Sequence, residues 1–472
     1  LSTAQVAALT SQQLVSLGDD IAALETVDLA SLGTKQIASL TTAQIVALGT
    51  SGVDTLLPEQ IAAFTTAQMD AMSQQQLGAL ATADIVLLST AQIATFSSDD
   101  LKLLSTDALS SLTAAQIARL TDAQIDGFRS REILALTPKQ FASLSTSQII
   151  GLSTEQFDAL LTEDLAALGT VQIRALLTSQ IDALTTADFA GFGSAQLAVF
   201  SSAQLQALGT NDIVALTAAQ LSGLSSTQIP MLTTAQVAAL ETADLASLST
   251  RQVAAFTTDQ IQALDTRAVV SLTTAQVAGL STSQLAALLT NQMAALETVD
   301  LIAIGSRQVS ALTTAQIDAL TTGQIASLLS TQVASLTTAQ LAVLQADDIR
   351  AFTSTQIGAI STSLVSALST AQIAAIQTDD VAGLSSRQIA LLGTDQLNAL
   401  STGTFAALST TQVGSFTTTQ VAALSTALLS ALEAADFAAF STTQIKALDS
   451  AQLTFLGTDD FAAISSTQVA AL

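Results

Sequence analysis

From Leu24 to Ala471 the chain repeats every eight residues without a slip. Residues 1–16 are two further octads, and residues 17–23 form a repeat one residue short. The result is a single continuous array of 59 repeats over 1–472, with Leu472 opening the next. A period this short and this strict constrains the fold before any other property does. The consensus is L-[ST]-T-x-[QD]-[ILV]-x-[AS], with large apolar residues at positions 1 and 6, so the apolar spacing alternates five and three. Strict apolar–polar alternation, the mark of a half-buried strand, is absent. A continuous amphipathic helix needs an average spacing of about 3.6, or about 3.5 in a coiled coil, and a stripe of period four leaves one face within a few turns. The chain therefore turns once per octad.

The local chemistry shows how. Ser or Thr at position 2 followed by Gln or Asp at position 5 forms a capping box, in which the hydroxyl accepts from the N–H of position 5 and the position-5 side chain reaches back to the cap's own N–H. Positions 1 and 6 are then the two partners of a hydrophobic staple. Pro58 and Pro138 sit at position 3, the first helical position, where proline is favoured. Position 2 also accepts Glu, Gly and Leu (Leu57, Leu161, Leu177, Leu289), while position 3 is more uniform. The working cap is accordingly the hydroxyl of position 2 or, in some or all repeats, that of position 3. Position 5 departs from Gln, Asp or Glu only at Gly52, Ala108, Ala268, Leu364, Thr404 and Leu428 among the in-phase octads. Pro230, at position 7, is expected to distort its own repeat.

Each repeat is thus a helix of one to two turns, too short to persist alone. It requires neighbours that bury positions 1 and 6 jointly, and small residues at position 8 (Ala63, Ala239, Ala375) let helices approach. The expected fold is all-α, a solenoid or superhelix stabilised between nearest neighbours. With three repeats to a turn and layers about 10 Å apart, the array would be a rod on the order of 200 Å long. The alternative is a β-solenoid, which the Ala and Gln content and the lack of Asn-Gly or Gly-Gly turns disfavour.

Composition removes most chemistry. The chain has no Cys, His, Trp or Tyr, and its net charge is -25. Without His or Cys there is no ordinary base or thiolate for nucleophilic catalysis and no zinc, copper or iron ligand set. The 13 Lys and Arg are scattered, with only Arg129, Arg131 and Lys139 close together, so a basic face for nucleic acid is not expected. The acidity reads as repulsion that keeps an apolar chain soluble. Five Asp pairs recur at positions 4 and 5: Asp19–Asp20, Asp99–Asp100, Asp347–Asp348, Asp379–Asp380 and Asp459–Asp460. Paired carboxylates can serve acid–base chemistry, but acids in a helix's first turn are favoured by its dipole alone. Calcium, which takes oxygen ligands, is the metal this composition allows, as weak sites between repeats, although no EF-hand loop or GGxGxD nonapeptide is present. The Thr columns could face ice or a glycan, yet capping already accounts for them. No run of 18 apolar residues exists, so no membrane-inserting helix is expected. No residue is singled out as catalytic, cofactor-binding or metal-binding, and an enzyme is not expected.

The octads LTTAQIVA, LTTAQVAA and LTTAQIDA resemble the L-T-T-x-Q-[IV]-x-A tracts of very large secreted or cell-surface, adhesin-like proteins of Gram-negative bacteria. The resemblance covers the whole chain. It implies extracellular placement and type I export, and it carries over no functional residues. The expected role is an extracellular structural scaffold: a rod or filament-forming adhesin stalk or surface fibre or sheath subunit, associating with neighbouring copies of the repeat. The alternative is a repetitive surface that binds calcium, surface glycans or ice. The chain opens on Leu1 in repeat frame, as a segment of a longer protein would.

Overall fold

The computed structural model describes residues 2–472, and among them no residue lies in a strand. Fifty-six α-helices and three 3-10 helices follow one another, one for each repeat. The all-α solenoid expectation holds and the β-solenoid alternative is excluded. The chain divides into two compact bodies, Leu1–Ala239 and Leu240–Leu472, built on the same local plan.

In every α-helix but Gly49–Asp54, position 2 is the N-cap and position 3 the first helical residue. In the helix Thr258–Ala263 the Thr257 hydroxyl accepts from Gln260 N at 3.2 Å, while Gln260 Oε1 accepts from Thr257 N at 2.8 Å. A position-3 cap is therefore corrected: those hydroxyls belong to residues already inside the helix. Where position 2 is Leu or Ala, only the reciprocal half of the box forms, whereas Asp449 at position 2 forms both halves through its carboxylate. Leu57 N donates to Gln60 Oε1 at 2.7 Å, and Ala81 N to Asp84 Oδ2 at 2.8 Å. Pro58 and Pro138 occupy the first helical position. Pro230, which cannot donate a backbone bond, reduces its repeat to the 3-10 helix Ile229–Met231.

Positions 1 and 6 form the core of each body; Ile325, Val277 and Phe141, all at position 6, are fully buried. Helices stack on the repeats three and four earlier. Position 8 meets position 3 of the repeat three earlier: a Cβ on Gly191 would lie 2.3 Å from Thr162 Cγ2, and one on Gly383 only 1.9 Å from the Ser354 carbonyl. Small residues at position 8 thus set the spacing between layers, not only between consecutive helices. Two irregularities sit near the start. The short repeat is the 3-10 helix Gly18–Ala23, and both Gly18 (φ 53°) and Gly49 (φ 63°) adopt left-handed backbone that a side chain would strain.

Candidate functional site

A helix of four to six residues leaves nearly all its backbone groups without intrahelical partners. The position-5 side chain resolves both ends of this problem. Gln292, 0% exposed, accepts from Leu289 N at 2.6 Å through Oε1, capping its own helix. Its Nε2 donates to the carbonyls of Ile261 (3.0 Å) and Leu264 (2.6 Å), 31 and 28 residues earlier. Those carbonyls belong to the C-terminal end of the helix beneath. Gln60 does the same to Leu29 and Leu32, Gln180 to Ile149 and Leu152, and Gln412 to Val381 and Leu384. Position 5 is therefore a buried amide ladder that ties each layer to the next. The sequence pattern reveals its capping half and not its interlayer half.

Asp at position 5 changes the second bond, and at Asp84, Asp212 and Asp348 it keeps the cap. Asp348 Oδ1 accepts from the Thr322 hydroxyl at 2.9 Å, Asp300 from Thr274 at 2.7 Å, and Asp212 from Thr186 at 3.2 Å, each 26 residues apart. Glu132 is a third solution. Its carboxylate, 0% exposed, is held by Arg129 (3.0 Å) and Arg131 (2.7 Å), and Arg131 donates onward to the Lys102 carbonyl at 3.4 Å. Burial works to raise this carboxyl, but the hydrogen bonds from Arg129 and Arg131 overcome it and hold it below the usual range. Arg129 and Arg131, two of the three neighbouring basic residues in the sequence, thus serve one buried acid.

The departures from Gln at position 5 are not scattered. In the first body they fall at Asp28, Gly52, Asp84, Ala108, Glu132, Asp164, Asp188 and Asp212. In the second they fall at Asp244, Ala268, Asp300, Asp348, Asp380, Thr404, Asp436 and Asp460, with Gln324 the one exception in the series. Successive members are 24 or 32 residues apart, three or four octads. Those steps bracket the 26-, 28- and 31-residue separations of the interlayer bonds, so in each body these repeats stack on one side. Asp100, Leu364 and Leu428 lie off the series. The 17 repeats of the series hold 23 of the 38 Asp and Glu but only 4 of the 13 Lys and Arg. Each body therefore carries one acid-rich side. The signal was present as a second period over the octad, visible only when position 5 is read by itself.

The five Asp pairs separate by role. Asp100, Asp348 and Asp460 accept from their N-cap N–H groups, while Asp99 and Asp347 form surface ion pairs with Lys102 and Arg350. Asp19 and Asp20 lie in the first turn of their 3-10 helix, and burial, ahead of the charge of Asp379, pushes the Asp380 carboxyl up. Among the described residues no group of three or more acidic side chains converges on a point where a metal ion could sit. The position-2 hydroxyls accept backbone bonds, and part of the position-3 column (Thr186, Thr274, Thr322) is spent on the layer above. No helix among the described residues is long and apolar enough to cross a membrane.

A comparison with family models finds the ALTTAQ repeat at residues 21–57, 159–191, 184–218, 206–242, 237–274, 269–298, 293–330, 341–375, 373–408, 392–426 and 429–466. The chain belongs to the ALTTAQ repeat family. No curated protein matches it. Read onto this chain, the six letters of ALTTAQ run from position 8 through position 5: the small interlayer residue, the core leucine, the N-cap, the first helical residue, an exposed residue and the ladder amide. Each ALTTAQ match spans roughly four octads, the distance over which a position-5 side chain ties one layer to the one beneath it.

Proposed function

We propose that this chain is an extracellular structural scaffold, a rod or filament-forming repeat tract of the adhesin-stalk or surface-fibre kind, with a mechanical rather than catalytic role. The observation that carries the reading is the ladder: in each body the interlayer hydrogen bonds join residues 25–31 apart, so every layer is held by the next through the same small joint. Length then scales with repeat number, and no single joint is indispensable. The abundance of equivalent Ser, Thr and Gln, with no His or Cys, supports a role spread evenly along the array. The resemblance to adhesin-like tracts supports the cell surface, and self-association with copies of the repeat follows from the same joint.

Negative-stain electron microscopy of the purified chain tests it. Uniform thin rods or fibres in calcium and in chelator are the expected result. Compact globules in both conditions would overturn the scaffold.

A further inference from the structure

Among the described residues, Oδ1 of Asp164 is the one buried side-chain nitrogen or oxygen left without a hydrogen bond. Its partner oxygen, Oδ2, accepts from Leu161 N at 3.1 Å. The residue is 2% exposed and belongs to the acid-rich side of the first body. The reason it is orphaned lies 26 residues earlier. There Asp212, Asp300 and Asp348 find a Thr hydroxyl, whereas Asp164 has Pro138, which carries no donor. The ladder's register also sets position 5 over the carbonyls 28 and 31 residues back, which for Asp164 are Leu136 and Ile133. A Gln there would donate to them. Asp brings an anionic oxygen, one methylene shorter, to two acceptors.

The geometry points to a divalent-cation site at Asp164, in which Oδ1 and the carbonyls of Leu136 and Ile133 ligate a calcium ion whose remaining ligands are water. Hard oxygen donors of mixed type and irregular placement suit calcium better than magnesium, which demands near-octahedral geometry and retains its waters. Leu161, Thr162, Glu163 and Ala166, neighbours of Asp164 on the same helix, line a surface groove of about 510 Å³. Burial, ahead of the nearby Glu163 charge, pushes the Asp164 carboxyl up, as expected of a charge lacking its counter-ion. Asp84 shares the missing donor, with Pro58 26 residues before it, but neither of its oxygens is both buried and unpartnered. The site is independent of the scaffold reading, which does not require an ion.

Isothermal titration of the whole chain with CaCl2 tests the site, alongside D164Q, P138T and E155Q, the last removing an exposed acid outside the acid-rich side. The wild type is expected to bind calcium with a dissociation constant on the order of 10⁻⁴–10⁻³ M, and magnesium more weakly. D164Q, which restores the ladder donor, loses the Asp164 site. P138T, which supplies the missing hydroxyl, weakens it several-fold with the acid still in place, so it decides the matter even if D164Q folds poorly. E155Q leaves the isotherm unchanged. No binding by the wild type up to about 10 mM, identical isotherms for wild type, D164Q and P138T, or an equal loss in E155Q would overturn the site.

Discussion

Thr322 donates its hydroxyl to Oδ1 of Asp348 at 2.9 Å, across 26 residues of chain. Asp348 is 8% exposed, so a donor from the layer beneath stabilises a largely desolvated anion. Thr322→Val keeps the side-chain shape and removes the donor. A hydrogen bond to a charged group contributes about 1.5–3 kcal/mol, and the variant should lose on that order locally. Repeat arrays need not unfold in one step, so amide hydrogen exchange is the apt measurement. Protection should fall in the helices Thr322–Ser327 and Ala346–Arg350 and hold in distant repeats. Adding Asp348→Gln should restore it; unchanged exchange in Thr322→Val would mean the bond contributes nothing.

Gln292→Ala tests the amide form of the same joint. It removes the bond to Leu289 N and both bonds to the Ile261 and Leu264 carbonyls; Leu264 N still donates to the Ile261 carbonyl, so the unmet groups are Leu289 N and the Leu264 carbonyl. Each such group costs about 1–3 kcal/mol, so exchange should accelerate both in its own helix and in the one beneath. Acceleration confined to Thr290–Ala295 would show that capping alone accounts for the stability the joint supplies.

How far the octads disclose this architecture differs by position. Positions 1 and 6 announce the core, and Pro230 announces its broken helix, because burial and a missing N–H act within one repeat. Position 5 discloses only its local half. The Gln292 cap lies three residues away, whereas the carbonyls of Ile261 and Leu264 are neighbours only after the chain has turned. The acid-rich side is hidden for a related reason: an octad consensus averages over the steps of three and four repeats that bring Asp164, Asp188 and Asp212 together. The orphaned Asp164 oxygen needs both scales, since Pro138 looks like a well-placed helix start until the layer above it is known.

Ile325→Asp places a charge in a fully buried core position. An unpaired buried charge costs several kcal/mol, more than one joint can absorb. With stability held between nearest neighbours, the damage should stay within about one layer on each side. Hydrogen exchange should show lost protection around residues 293–356 and native protection elsewhere in the second body. Unchanged protection throughout, or collapse of every repeat in that body, would contradict a core shared only between neighbours.

Mild acid should stabilise the chain. Burial pushes up the carboxyls of Asp84, Asp164, Asp244, Asp380 and Asp436. A raised folded pKa means the folded state binds the proton more tightly than the unfolded chain, so stability falls as pH rises through that pKa and recovers on acidification. The recovery lies between the raised values and the unfolded Asp value of about 3.9. Relief of a net charge of -25 acts in the same direction. The melting temperature should rise as pH drops from 7 toward the unfolded Asp value of about 3.9; a flat or falling curve would sink the prediction.

Glu132 should behave in the opposite sense and can be isolated by substitution. Its depressed carboxyl contributes stability that is present above the unfolded Glu value of about 4.3 and lost as pH falls through the lower folded one. Glu132→Gln removes this acid-sensitive contribution, yet its amide can accept from Arg129 N and donate to the carbonyls 28 and 31 residues back, Leu104 and Leu101, as Gln292 does to its own. Replacing a buried ion pair by a well-fitting neutral group is often close to neutral, so the variant should match the wild type within about 1 kcal/mol at pH 7. Glu132→Ala, with neither charge nor amide, should cost about 2–4 kcal/mol. Exchange in the helix Ser130–Leu134 reads both variants. Equal losses in Gln and Ala would show that the arginine pair, and not the shared ladder geometry, holds this joint together.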